Sequence, residues 1–425
     1  MKEEEGLSPQ STENGAEQVP VEKCAPEVTT EVTTATPEQE DGKANGEQGK
    51  ADEKKALKKK RVKTILWNIF LVVIIALGIL SLFGIVKEID PDQGASLGEV
   101  VAGASLGNFA ALLAAVASLI LLEVAMYSVI SKTVTGKYMI ATSAKCNFLG
   151  KYYDAVTPFS TGGQPMQIYY LNSKGISGGN SSAMVLIKYF ASMLCWVGVG
   201  GACMIYGAVN GDLSRSVGDV ILYGVNAATL LKVAGWIGIA INLFLPTFVG
   251  FFLIFPKLMY KLTAGVVKLG AKLRIVKDVE KTTVRATKVV TDFKTAFKVM
   301  ATSPVKLIIL ILICLAHAVL VFSMPYFVMR VFVQDLSESV LTVMALNAYT
   351  MFGVSFIPTP GNTGAMESLS GLAFSAVAGP TLVWSVLLWR LSAFYLFIFV
   401  GIGITVYDII MKNIKAKRES NLLKK

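Results

Sequence analysis

Two short stretches, Pro158-Phe159-Ser160-Thr161-Gly162 and Pro360-Gly361-Asn362-Thr363-Gly364, lie 202 residues apart and decide how this chain folds. Each follows a threonine, and a carboxamide or carboxylate comes soon after (Gln164 and Gln167, then Glu367). Proline, glycine, serine, asparagine and threonine end one helix and cap the next. A broken helix beside a membrane exposes backbone N–H groups that can hold an anionic headgroup. The repeated stretch is therefore our candidate working site.

The composition is that of a membrane protein. Apolar residues make up 53% of the chain, charged residues 16%, and the mean hydropathy is +0.56. About 20 apolar residues cross a hydrocarbon core of ~30 Å as a helix. The chain is thus predicted to be all-α and polytopic, with about 8 transmembrane helices at 65–86, 106–130, 181–209, 220–250, 304–333, 338–357, 365–379 and 380–408.

Other chemistries find little support in the sequence. The five cysteines show no CxxC or Cys/His spacing, so neither a metal site nor a disulfide framework is expected. No nucleotide-binding or hydrolase motif occurs, and we expect no cofactor. The net charge of +10 comes from basic residues beside the spans, which indicates topology and anionic lipid contact rather than nucleic-acid binding.

Charge also divides the chain into regions. Residues 1–64 are predicted to be a disordered cytoplasmic tail that ends in a basic block, with seven Lys/Arg between 54 and 63. This tail precedes the first span, which we expect to be an uncleaved anchor. Residues 65–410 form the predicted transmembrane domain, in halves of about 65–255 and 304–410 joined by the basic segment 256–303. Residues 411–425 are a basic cytoplasmic tail.

Loop charges predict the orientation. The 87–105 loop has one basic and four acidic residues, whereas 131–180 has five basic and one acidic, and 256–303 has eleven and three. The positive-inside rule then places both termini in the cytoplasm, which requires an even number of crossings. The 358–379 segment is therefore expected to cross. Its helical part, Ala365 to Ala378, is only about 21 Å long, so the irregular stretch before it would complete a discontinuous helix.

The first copy lies in 138–172, between two cytoplasmic span ends. This segment is either a re-entrant hairpin or a structure at the membrane rim, and likeness to the second copy favours re-entry. Because both copies follow an outside-to-inside helix, the pattern predicts a parallel duplication of two four-span halves. The basic 257–300 segment is either one or two amphipathic helices on the inner leaflet or a solvated hairpin.

Ionisable residues inside spans are few and usually functional. They are Glu123, Lys188, Lys232, His317, Glu367 and Arg390. Arg390 is either a phosphate partner or half of an ion pair with Glu367 or Glu123. Lys188 either completes a phosphate site or extends to the interface. His317 is expected to be hydrogen-bonded packing rather than a proton carrier.

Two motifs carry a resemblance to a known family. The string Asn147-Phe148-Leu149-Gly150-Lys151-Tyr152-Tyr153, followed by 157–165, resembles the lysylphosphatidylglycerol synthase transmembrane-region family. Residues 358–361 with Gly364, Glu367 and Arg390 look like its second signature. The likeness covers about 65–410 and implies a lipid-flipping module, which bacterial members fuse to a soluble synthase domain. Only residues 409–425 follow the last span, so synthase activity is not expected. Gln164 replaces an acidic residue of the usual pattern, and the loss of that negative charge is expected to alter headgroup choice; Asn362 replaces a glycine.

The leading hypothesis is a flippase of the cell membrane that translocates a phospholipid, glycolipid or polyprenyl-phosphate headgroup. The alternatives are an integral-membrane enzyme of lipid headgroups, with Glu367 and His317 as base and acid, and a scaffold for a lipid-biosynthesis enzyme. Expected partners are membrane lipids with anionic headgroups, and self-association is left open. The predicted substrate-binding residues are Thr157, Pro158, Ser160, Thr161, Gly162, Gly163, Gln164, Pro165, Gln167, Lys188, Thr359, Pro360, Asn362, Thr363, Gly364, Glu367 and Arg390.

Overall fold

The computed structural model describes residues 95–218, 220–222, 225–272 and 278–422. The predicted tail 1–64 and the predicted span 65–86 lie outside these residues. Within them the chain is almost entirely helical, and two residue pairs form a short antiparallel ladder, β1 (Ile221–Leu222) with β2 (Val225–Asn226). The helices are α1 Leu97–Gly103, α2 Leu106–Thr135, α3 Ile140–Val156, α4 Gly163–Ser173, α5 Gly178–Asn210, α6 Asp212–Val217, α7 Ala227–Ile254, α8 Pro256–Lys272, α9 Val279–Ala301, α10 Pro304–Phe332, α11 Val340–Gly353, α12 Ala365–Ala378, α13 Leu382–Arg390 and α14 Leu396–Leu422.

In the described part of the chain, five segments are long and apolar enough to cross a membrane. Each overlaps a predicted span, and the predicted all-α polytopic membrane fold is confirmed, whereas the predicted span 338–357 is the shorter helix α11 and 365–379 is part of an interrupted run. One start differs: α7 begins at Ala227 rather than near 220, because residues 221–222 and 225–226 form the β1–β2 ladder. The five are Leu106–Thr135, Gly178–Asn210, Ala227–Phe244, Pro304–Phe332 and the interrupted run Pro360–Asp408.

Helices α2 and α10 form an antiparallel pair that defines the two ends of the bundle. The Ser105 N–H donates to the Val331 carbonyl at 2.8 Å, and the Asn108 amide donates to the Arg330 carbonyl at 2.7 Å. Helix α2 ends at Thr135 at one end of the bundle, and α10 starts at that same end. We call it the basic end, because the lysine-rich helices α8 and α9 directly precede α10 in the chain. The other is the opposite end.

The first motif is the tip of a hairpin made of α3 and α4 (hairpin A, Ile140–Ser173). Helix α3 starts just after α2 has finished at the basic end, and an ion pair joins Lys145 to Asp408 there. The chain is back at this end by Ser177, whose hydroxyl lies 3.4 Å from Asp292 Oδ2 of α9. Of the two readings of 138–172, the structure therefore has the re-entrant hairpin.

The second motif is the tip of a hairpin made of α11 and α12 (hairpin B, Val340–Ala378). It starts at the opposite end after α10 and returns there, where the Ala95 N–H donates to the Pro380 carbonyl at 3.2 Å. Helix α12 has the predicted bounds, Ala365–Ala378. The prediction that 358–379 crosses the membrane is wrong, because α11 and α12 are each 14 residues, about 21 Å, and fold back on each other. The loop charges could not reveal this hairpin. Replacing two membrane crossings by one hairpin still leaves an even number of crossings.

The two hairpins enter the bundle from opposite ends and point toward each other. Each follows one member of the antiparallel α2–α10 pair, so the second copy is inverted relative to the first. The predicted parallel duplication is therefore wrong. This wrong prediction and the wrong crossing of 358–379 have the same origin. Counting α11 and α12 as membrane spans made the two copies follow helices of the same direction.

The basic segment forms two helices, α8 and α9, as one of the readings anticipated. Helix α9 is held to the bundle by buried Phe293, Ala296 and Met300, and Gly179 of α5 allows it to approach closely. Helix α8 instead leaves an apolar row exposed, made of Leu258, Leu262, Val266 and Leu269. Contact of this row with a lipid leaflet stays a prediction.

Glycines let the long helices approach each other closely. A Cβ on Gly200 of α5 would lie 2.5 Å from ring atoms of both Phe322 and Phe352, which belong to the central core. A Cβ on Gly238 of α7 would lie 1.9 Å from the backbone carbonyl oxygen of Phe352. That contact involves backbone, which cannot rotate aside as a side chain can, so α7 depends on this glycine to pack against α11.

We expect Gly238→Ala to lower the stability of the bundle by roughly 1–3 kcal/mol, the usual cost of overpacking. The matched control is Gly198→Ala on α5, where no atom lies within 4 Å of the added Cβ and helix propensity favours alanine by about 1 kcal/mol. Thermal unfolding of both variants in the same detergent checks this. Equal melting temperatures would contradict the close α7–α11 contact.

Candidate functional site

The two motif turns share one backbone conformation. The two residues after each proline are left-handed: Phe159 (φ 55°) and Ser160 (φ 51°) in the first, Gly361 (φ 58°) and Asn362 (φ 55°) in the second. Residues other than glycine rarely adopt this region, and each costs of order 1–3 kcal/mol. The likeness seen in the sequence is thus a likeness of structure, maintained at a cost in free energy.

The turns pack against each other inside the bundle. Ser160 of the first turn and Gly361 of the second line one cavity of about 190 Å³, together with Lys151, Asp154, Phe394 and Phe397. One residue of each motif turn thus borders this cavity, and its use as a headgroup site stays a prediction.

The second turn is held by a buried ion pair. Glu367 is fully buried, accepts the Gly364 N–H at 2.7 Å and pairs with Arg390 Nε at 2.7 Å. Arg390 also donates to the Thr363 hydroxyl at 3.3 Å and the Gly361 carbonyl at 3.4 Å. Of the readings of Arg390, the structure has the ion pair with Glu367. Its use toward a phosphate stays a prediction.

The first turn is held by its own polar side chains. The Thr157 hydroxyl donates to the Tyr153 carbonyl and accepts the Gly162 N–H, both at 2.8 Å. The Gly163 N–H donates to Asp154 Oδ1 at 2.7 Å. These groups serve the turn itself, which leaves the cavity to the side chains around it.

A cluster of charged groups from four helices lies beside the first turn. Glu123 of α2 is 4% exposed, and its Oε1 is 2.8 Å from Lys151 Nζ of α3 and 3.0 Å from His317 Nε2 of α10. Lys188 Nζ of α5 lies 3.9 Å from Glu123 Oε2 and 3.5 Å from Asn147 Oδ1. We call these four residues, Glu123, Lys151, Lys188 and His317, the Glu123 cluster.

Two further cavities adjoin this cluster, and Lys151 lines them as well as the cavity between the turns. One, of about 180 Å³, is polar and lined by Asp154, Gln164, Gln167, Lys188 and Ser192 among others. The other, of about 140 Å³, has Glu123 and His317 on one side and mainly apolar walls, including Leu119, Val321, Met324, Trp389 and Phe397. The Lys151 side chain, 33% exposed, is thus central to all three spaces.

The predicted site residues separate into groups. Those that line the cavities are Ser160, Gln164, Gln167 and Lys188. Those that build the turns through hydrogen bonds are Thr157, Thr161, Gly162, Gly163, Thr363, Gly364, Glu367 and Arg390. Pro158 and Pro165 are exposed, Pro360 and Thr363 are buried, and Thr359 and Asn362 are half-buried. Lys232 lies apart, bonded to the Ser214 hydroxyl at 2.9 Å near the opposite end.

Sequence reasoning missed several residues of the site. Glu123 was considered only as an ionisable residue inside a span and a partner for Arg390. Asn147 and Lys151 were named only within the family motif, and Asp154 was given no role. A signal was present, because positions 147, 151 and 154 share one face of a helix at spacings of four and three. The segment around them lies between two predicted cytoplasmic span ends, and the sequence alone does not show that this face meets the charged residues of the spans.

The acid–base pair that the enzyme hypothesis needs is not formed. His317 pairs with Glu123, as hydrogen-bonded packing predicts, whereas Glu367 pairs with Arg390. The two residues proposed as base and acid thus belong to separate networks.

Comparison with known proteins identifies the family. The family model described as lysylphosphatidylglycerol synthase TM region matches residues 66–401. The chain belongs to this family. The match includes both hairpins and the Glu123 cluster, so the resemblance in the two motifs extends over the whole bundle. No curated protein and no solved structure matches the chain.

We expect either single change at the buried ion pair, Glu367→Gln or Arg390→Met, to cost about 3–5 kcal/mol, because each leaves its partner buried without a counter-charge. The double variant should lose clearly less than the sum of the two. Thermal unfolding of the three proteins checks the coupling.

The matched control is Lys145→Met, which removes a much more exposed ion pair at the basic end and should change stability by less than about 1 kcal/mol. Additive losses in the Glu367 and Arg390 variants would contradict a structural role for that pair.

Proposed function

We propose that this protein is a lipid transporter of the flippase type, which moves a phosphate-bearing headgroup across the cell membrane. The substrate classes that fit are phospholipids, glycolipids and polyprenyl phosphates. The observation that carries the proposal is the position of the cavities around Lys151, where the tips of two opposed hairpins meet inside the bundle.

Depth is the first support. The tip of hairpin B lies about 21 Å from the end at which it enters, and hairpin A reaches the same place from the other end. Irregular backbone so deep in an apolar bundle is tolerated where it lines a cavity, and broken helices mark the substrate sites of many transporters. A site at this depth serves transport better than chemistry at one membrane surface.

The mixture of wall types is the second support. Lys151 and Lys188 offer ammonium groups to a phosphate, and Gln164 and Gln167 offer amides to the rest of a headgroup. The neighbouring cavity is mainly apolar, and Phe159 at the first turn is 53% exposed on the bundle surface. A polar cavity next to a mainly apolar one suits an amphiphile whose headgroup enters the protein while its acyl chains stay in the bilayer.

Energy supply and surroundings complete the proposal. The sequence carries no ATP-binding motif, so transport would be downhill or driven by an ion gradient. Both termini are assigned to the cytoplasm from loop charges. Self-association and contact with a lipid-biosynthesis enzyme belong to the same proposal as expected partners.

The test is reconstitution in phosphatidylcholine vesicles that contain an acyl-labelled fluorescent phosphatidylglycerol. Dithionite quenches only outer-leaflet probe, so translocation appears as loss of the protected fraction. We expect Lys151→Met to slow this at least ~tenfold, since a hydrogen bond to a charged group contributes about 1.5–3 kcal/mol.

The matched control is Lys232→Met, a lysine outside the cavities, which should translocate at the wild-type rate. Translocation by the wild type no faster than in protein-free vesicles would overturn the proposal. An unchanged translocation rate in a folded Lys151→Met protein would show that the cavities around Lys151 are not the transport site.

A further inference from the structure

The Glu123 cluster is balanced in charge. In the described part of the chain, the titratable groups that face Glu123 or share its cavities are Lys151 and Asp154 of α3, Lys188 and Tyr189 of α5, His317 of α10 and Tyr127 one turn along α2. Two ammonium groups and two carboxylates cancel while His317 and the two tyrosines are neutral. The empty site therefore has no net charge, which suits its depth in the bundle.

The two lysines are shared between Glu123 and the cavity. Lys151 is 2.8 Å from Glu123 Oε1 yet a third exposed, and Lys188 is 3.9 Å from Oε2 while it lines the polar cavity. Within the described residues, Glu123 Oε2 has no hydrogen-bond partner. A phosphate in the cavity would compete for the same ammonium groups that now neutralise Glu123.

A buried carboxylate that loses its counter-charge is costly, and protonation removes that cost. The group placed to deliver the proton is His317, whose Nε2 is 3.0 Å from Glu123 Oε1. An imidazole can release a proton from one nitrogen and regain one at the other, so it can pass a proton without moving far. Glu123 and His317 also line the mainly apolar cavity together, beside the lysines.

We propose that binding of a phosphate-bearing headgroup to Lys151 and Lys188 is coupled to protonation of Glu123 through His317. This rests on the proposed function and names its coupling ion. One negative charge on a phosphodiester enters with one proton, so the loaded site is as neutral as the empty one. Transport is then an electroneutral symport of lipid and proton, driven by a pH gradient and insensitive to membrane potential.

The first test measures binding and needs no transport. The probe is short-chain dihexanoyl-phosphatidylglycerol, titrated calorimetrically into the detergent-solubilised full-length protein in two buffers of different ionisation enthalpy. The wild type should take up about one proton per lipid bound near neutral pH. Glu123→Gln, which keeps the size of the side chain and cannot ionise, should bind with no proton uptake.

Glu99→Gln is the matched control, since this exposed carboxylate of α1 lies outside the site, and it should keep the wild-type stoichiometry. If Glu123→Gln does not fold, His317→Gln replaces it and should slow proton uptake after rapid mixing with the probe. Lipid binding by the wild type without proton uptake would overturn the coupling while leaving the binding site intact.

The second test uses the vesicles described above, with a pH gradient of one unit and the potential clamped by potassium and valinomycin. The labelled phosphatidylglycerol should accumulate up to about tenfold in the leaflet that faces away from the acidic side, because one pH unit is a tenfold proton ratio. Changing the potential at fixed pH gradient should have no effect, and Glu123→Gln should abolish accumulation.

The outcomes separate the two proposals. Translocation by the wild type without any response to the pH gradient overturns the coupling and leaves the flippase assignment standing. A gradient response that persists in Glu123→Gln transfers the coupling away from this residue and overturns the inference. No translocation under any gradient overturns the proposed function together with it.

Discussion

A turn of irregular backbone within an apolar bundle leaves N–H and C=O groups that need polar partners, and in both motif turns protein side chains supply some of those partners. Both motif turns solve this with a carboxylate that accepts the first N–H groups of the returning helix. Asp154 accepts from Gly163, and Glu367 accepts from Gly364. Each turn thus places a carboxylate in the bundle, where a nearby cation stabilises it, and Glu123, which lies outside both turns, adds another carboxylate beside the first turn.

The two turns differ in how that requirement is met. Glu367 receives a dedicated partner, since Arg390 is 5% exposed, its Nε bonds Glu367 and its Nη2 bonds the second turn. At the first turn the cations are Lys151 and Lys188, which contact Glu123 and border open space. The second tip thus carries a closed ion pair, whereas the lysines beside the first tip pair with Glu123 and also line cavities. The proposed exchange of Lys151 and Lys188 between Glu123 and a phosphate depends on this difference.

The sequence predicted the helical class, the approximate bounds of the long apolar helices and the likeness of the two turns, because apolar run lengths and helix-breaking residues are local signals. Whether an apolar helix crosses the membrane or turns back is not a local property of the sequence. Helices α11 and α12 have the composition of spans, and only their packing against α10 and α7 shows that they fold back. The Glu123 cluster was missed for a related reason. Its members come from four helices between positions 123 and 317, and nothing along the chain indicates that Lys151 and Glu123 meet.

The π-helical segment Leu391–Tyr395 follows from the same constraint that shapes the turns. Arg390 Nε and the Tyr395 hydroxyl both bond Glu367 Oε1, at 2.7 and 3.3 Å. Residues five apart point in well-separated directions on an α-helix, whereas one wide turn with i→i+5 bonding brings them onto the same side. The widened turn also places Phe394 over Arg390 and against Gly361, where any larger residue would collide with the ring. One buried carboxylate thus explains both a break in the last helix and a glycine in the second turn.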